Sequence, residues 1–245
     1  MYFRVPIFFL GLLFIYFGLS CTKENQSDFI PQRRDLRYLA LGDSYTIGQG
    51  VPENERWPVL LADSLTNSGV IMDDPRIIAR TGWTTSDLES AIFEIYPEES
   101  FKEGYFNDSF DLVSLLIGVN NQYRGISEES ALDIYRKEFA DLLQLAIDFT
   151  KGNAGRVFVV SIPDYSVTPF VSENFKVRIS DEIDQYNEIN REIASEFNVK
   201  YFNITPISRL ASDDQQLLAS DQLHPSGIMY RLWVDLMIED IMKML

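Results

Sequence analysis

The sequence predicts an α/β domain, with a mostly parallel five-stranded sheet and helices on both of its faces. Two observations lead there. Short apolar runs alternate along the chain with longer stretches whose apolar residues recur at helical spacing, the pattern of successive βα units. The runs themselves, such as FDLVSLLI at 110–117 and RVFVVSI at 156–162, are nearly continuous in apolar residues, as strands are when both faces are covered. At 245 residues and 46% hydrophobic, the chain can bury one sizeable core without needing a second.

The first strand is read over 37–41, an apolar run that stops abruptly at a glycine. A helix follows over 56–67, with apolar residues at 57, 60, 61 and 65. The second strand centres on Ile77, Ile78 and Ala79. The next helix spans 84–95, with Thr84 or Thr85 as its cap. The third strand is 110–117. Apolar positions 131, 132, 135, 139, 142, 143 and 146 mark a long helix over 128–150. The fourth strand is 156–162. A helix over 180–197 opens on Ser180 and sets Ile183, Tyr186, Ile189, Ile193 and Phe197 near one face. A short fifth strand at 199–202 and an amphipathic helix over 227–245 close the chain. Sheets of this kind place their reactive loops at the carboxyl ends of the strands. The segments 96–109 and 163–179 are the expected walls of a pocket there.

The first twenty residues differ from the rest. Arg4 is their one charged side chain, and an apolar run from Val5 to Leu19 leads into Ser20-Cys21 and then the polar stretch TKENQSD. A basic start, an apolar middle and a small residue before the break describe an export signal. Cys21 is the only cysteine, so no internal disulfide forms. Its position resembles that of the lipidated cysteine of bacterial lipoproteins, although Gly18 stands where that signal usually has Leu. An uncleaved anchor and an ordinary signal peptide are the other readings. The expected organisation is a signal over 1–20, a flexible tether over 21–35 beginning at lipidated Cys21, and a domain over 36–245. The protein is then exported and held at a membrane by its lipid.

Lys and Arg number 21 against 37 Asp and Glu, a net charge of −16. Such a surface repels phosphate backbones and argues against a nucleic-acid partner. One histidine and one cysteine exclude most imidazole sites and all thiolate clusters, and a carboxylate-only calcium or magnesium site has no spacing signature, so neither a metal nor another cofactor is expected. There is no G-x-x-x-x-G-K loop, no G-x-G-x-x-G after the first strand and no G-x-S-x-G elbow.

What remains is hydroxyl chemistry. Gly42-Asp43-Ser44 follows the first strand directly, and taken alone Ser44 reads equally as a helix cap or as a nucleophile. A serine needs a base, and the only candidate imidazole is His224, in Asp221-Gln222-Leu223-His224-Pro225. Asp221 can hold one ring nitrogen while the other takes the serine proton. Pro225 keeps His224 out of a helix, on a loop before the last one. Gly82 after the second strand and Asn120 after the third are candidate donors to an oxyanion, although each also reads as a turn residue. Trp83 and Tyr123 lie beside them, as pocket or core aromatics.

These segments resemble, in order, the four blocks of the GDSL or SGNH hydrolases: Ala40–Tyr45, the stretch around Gly82, Gly118-Val119-Asn120-Asn121, and Asp221–His224. The resemblance implies a flavodoxin-like three-layer α/β/α sandwich and hydrolysis of esters through an acyl-serine intermediate. It implies Ser44 as nucleophile, Asp221 and His224 as orienting acid and base, and Ser44, Gly82 and Asn120 as the oxyanion hole. The implied substrates are acetylated carbohydrates, lysophospholipids or small acyl esters. Tyr45 and Asn121 depart from the blocks, which usually carry Leu and Asp there. A binding protein that keeps the fold without turnover is the alternative, and a two-carboxylate enzyme or surface scaffold a more distant one.

Overall fold

The computed structural model describes residues 1–3, 35–102, 108–125 and 129–245. Cys21, and the expected leader and tether apart from residues 1–3 and 35, lie outside the described residues. The chain divides into two compact units, Met1–Arg33 and Arg34–Leu245, and the second carries every element below.

Among the described residues, five strands alternate with helices: β1 (Tyr38–Gly42), α1 (Ser44–Ile47), α2 (Trp57–Asn67), β2 (Arg76–Ala79), α3 (Thr85–Ile95), α4 (Glu98–Lys102), β3 (Leu112–Leu116), α5 (Val119–Tyr123), α6 (Glu129–Phe149), β4 (Val157–Val160), α7 (Glu173–Glu196), β5 (Lys200–Phe202), α8 (Thr205–Arg209) and α9 (Gly227–Met244). The strands form one sheet in the order β2-β1-β3-β4-β5. Every neighbouring pair is parallel, with Tyr38 beside Leu112 and Gly42 beside Leu116. This is the flavodoxin-like order, which reverses direction between β1 and β3. Right-handed crossovers running opposite ways from that point put helices on opposite faces. Accordingly α2 packs on α9, while α6 packs on both α3 and α7.

The apolar runs explain the sheet. All residues of β1, β3 and β4 are buried, as the three inner strands require, while edge strands β2 and β5 keep exposed positions. Trp57 of α2 and Tyr38 both meet Phe158 of β4, and Tyr135 of α6 meets Tyr186 of α7 with ring centroids 4.5 Å apart. Thr84 caps α3 in a full capping box with Asp87, and Ser226 caps α9.

Two expectations are corrected. The helix expected from Ser180 begins at Glu173, with Ser172 at its cap position. Its first two turns expose Phe175 and Val177, so the apolar period that marks a buried face starts only at Ile179. Ser180 instead donates its hydroxyl to Asp164 at 2.6 Å. The second correction concerns 96–109, expected to wall a pocket, of which 103–107 lie outside the described residues. Asp108 pairs there with Arg37 and Arg76 and accepts from Tyr96. Arg37 precedes β1 and Arg76 opens β2, so this cluster closes the amino ends of the strands, opposite the reactive loops.

Candidate active site

The sequence places a glycine at the one position in the first turn where no side chain fits. A Cβ on Gly42 would lie 2.4 Å from the carbonyl oxygen of Leu116 and 2.2 Å from Thr46 Oγ1. That close approach of β1 to β3 brings the chain straight from strand into α1. Asp43 caps α1: its Oδ1 accepts from the Tyr45 N–H at 3.0 Å. It braces the turn. Ser44 is the first residue of the helix, and its N–H has no partner among the described residues.

Asp43 is fully buried, and its Oδ2 has no partner among the described residues. Burial pushes its carboxyl up to about 7, against the pull of its backbone hydrogen bond. The residue before Ser44 is therefore largely uncharged below neutral pH.

The loop after β2 carries Gly82 at a φ of +85°, open to glycine and strained for other residues. Its carbonyl accepts from Arg124 Nη2 at 2.6 Å, and Arg124 in turn faces Asp87. The carbonyl is thus drawn outward. After β3, Gly118 adopts a φ of +126° and opens α5. Asn120 follows, its Nδ2 donating to the Trp83 carbonyl at 2.9 Å, which leaves the second amide hydrogen free to serve the cavity. Trp83 itself is partly buried against the core.

Asn121, which departs from the Asp of the block it resembles, is buried and makes two hydrogen bonds to the start of α3. Its Oδ1 accepts from the Thr85 N–H at 3.1 Å, and its Nδ2 donates to Thr85 Oγ1 at 2.7 Å. Thr85 Oγ1 donates onward to Glu138. The amide suits this position because it supplies the donor that Thr85 needs and adds no charge near Glu138.

The last loop holds the histidine from several sides. Asp221 Oδ2 is 2.7 Å from His224 Nδ1, and Oδ1 accepts from the N–H groups of Leu223 and His224. Burial would raise the Asp221 carboxyl, but these hydrogen bonds outweigh it and hold the group below its usual range. Gln222 takes a φ of +57°, and the His224 carbonyl accepts from the Ala219 N–H at 2.7 Å. His224 is buried, and Tyr45 packs on its ring at 5.5 Å between centroids. With Nδ1 committed to Asp221, Nε2 is left for the cavity.

Ser44, Gly82, Asn120 and His224, from four separate segments of the chain, line one cavity of about 230 Å3. It sits at the carboxyl ends of the strands, beside the reversal between β1 and β3. Its remaining wall includes Val119, Leu223, Tyr123, Tyr165 and Phe170. The last two belong to the segment 163–179 expected to build a wall. That segment is fixed by Asp164, buried and bonded to Ser166, Ser180 and Arg209. Arg124 was not legible as part of this site, because its partner Gly82 is distant in sequence.

Comparison with known proteins gives the family. The chain belongs to the GDSL-like lipase/acylhydrolase family, whose sequence model matches residues 40–232. Family membership makes it an ester hydrolase. It also resembles solved structures at low identity. TesA is 16% identical at a TM-score of 0.61, covering 85% of this chain and 99% of its own. A psychrotrophic esterase EstA from Pseudoalteromonas sp. is 19% identical at 0.57, covering 85% and 98%. Axe2, an acetylxylan esterase from Geobacillus stearothermophilus, is 19% identical at 0.59, covering 84% and 94%. At these identities the likeness speaks for the fold. No protein of curated function matches the sequence significantly.

Proposed function

We propose that the protein hydrolyses esters of short acyl groups through an acyl-enzyme on Ser44. The observation that carries this reading is the convergence of Ser44, Gly82, Asn120 and His224 on one cavity, with His224 Nδ1 held by Asp221. Ser44 Oγ attacks the carbonyl carbon while His224 Nε2 takes its proton. The Ser44 and Gly82 N–H groups and the Asn120 amide hold the oxygen that becomes negative. The intermediate collapses and the alcohol leaves with the proton from His224. Water then repeats the sequence on the acyl-serine and frees the acid. Asp221 stabilises the imidazolium in both halves. The small cavity with its apolar wall supports a short acyl group, in keeping with the acetylxylan esterase among the similar structures.

Ser44→Ala should lower kcat on p-nitrophenyl acetate by roughly a millionfold, and His224→Ala by a similar amount. Turnover by Ser44→Ala at the wild-type rate would sink the assignment. The cellular part of the reading is that the chain is exported and anchored through lipid on Cys21. Metabolic labelling with palmitate, lost in Cys21→Ala, tests it.

A further inference from the structure

A second cavity, of about 380 Å3, adjoins the catalytic one. The two share Tyr123, Tyr165 and Phe170, whose rings touch in sequence with centroids 6.2 and 6.3 Å apart. Its chemistry is different. Tyr165 Oη donates to Gln122 Oε1 at 2.9 Å, and Gln122 Nε2 donates to Glu182 Oε2 at 2.6 Å. The other oxygen of Glu182 faces Arg178 at 3.6 Å, and the Arg178 guanidinium lies 5.2 Å over the Phe175 ring. Gln122 is buried, and the Glu182 side chain is only 20% exposed. This polar floor is set before a ligand arrives. Around it stand Tyr123, Phe170 and Phe175, all about half exposed although large and apolar.

We propose that this cavity is the leaving-group subsite and takes a neutral sugar, the polyhydroxylated alcohol of an acylated oligosaccharide. The inference rests on the esterase reading above and names the half of the ester that reading leaves open. A short acyl group has nothing to offer a row of donors and acceptors. A sugar presents hydroxyls to Gln122, Glu182 and Arg178 and flat C–H faces to aromatic rings. The charge of Arg178 is already matched by Glu182, and the chain carries −16 overall, so a phosphate-bearing alcohol is disfavoured.

The test compares an acetylated xylo-oligosaccharide with p-nitrophenyl acetate on the full chain, Phe175→Ala and Glu182→Gln. In both variants the ratio of kcat/KM for the oligosaccharide to kcat/KM for p-nitrophenyl acetate should fall roughly tenfold, mainly through KM. An unchanged ratio would overturn the proposal, as would a selective loss on a lysophospholipid instead. Calorimetric titration of unacetylated xylotetraose into Ser44→Ala separates the subsite from the chemistry. Binding that is abolished by adding Phe175→Ala supports the subsite even if turnover is absent. No binding at millimolar sugar contradicts it even if turnover is brisk.

Discussion

Replacing Asp43 by Asn should change how stability depends on pH. Asp43 is fully buried, one oxygen accepting from the Tyr45 N–H and the other unpartnered among the described residues. Burial raises its carboxyl from 3.8 to about 7. In the unfolded chain the group loses its proton near its ordinary value, whereas in the folded chain it keeps it to near neutrality. Between these limits unfolding releases a proton, so stability falls as pH rises. The stabilising contribution is whole below pH 4 and gone above pH 7. Three units at about 1.4 kcal/mol each give a loss of about 4 kcal/mol. Asn keeps the acceptor for Tyr45 and cannot ionise. Urea unfolding of both proteins from pH 4.5 to 8.5 gives a difference in which every other titration cancels. Asp43→Asn should gain on the wild type by about 3 kcal/mol across that range, the first part of the loss lying below pH 4.5. A difference constant to within about 1 kcal/mol would refute the reasoning.

Gly118→Ala should cost about 3 kcal/mol or more and most of the activity. Its φ is +126°, and a Cβ would lie 2.3 Å from Tyr135 Oη, so the start of α5 must move and carry Asn120 with it. Urea unfolding within about 1 kcal/mol of wild type would count against this. Asn121→Asp should destabilise by about 2 kcal/mol at pH 8, because Thr85 has one hydroxyl proton for two carboxylates. The penalty should shrink at pH 4, where a carboxyl is protonated; thermal melts at the two values check it.

The strands and most helices were legible because inner strands buried on both faces must be apolar throughout, and Leu112–Leu116 and Val157–Val160 are. The corners of the site were legible for a different reason. Gly42, Gly82 and Gly118 occupy backbone positions that a side chain would crowd or strain, and each stands where a strand ends. The start of α7 was hidden because Phe175 and Val177 face outward, which removes the period without removing the helix. The hold of Arg124 on Gly82 and the burial of Asp43 depend on chain brought close only by folding. The segment 96–109 misled because loops at both ends of a sheet look alike in sequence.

The most direct measurement of the central claim is covalent capture. Treated with a fluorophosphonate, the protein should gain one phosphonyl group, and peptide mass spectrometry should place it on Ser44. His224→Ala should slow the labelling by several orders of magnitude, and Ser44→Ala should stay unmodified. A wild-type protein that hydrolyses esters yet takes no label, or takes it equally in Ser44→Ala, would contradict the account.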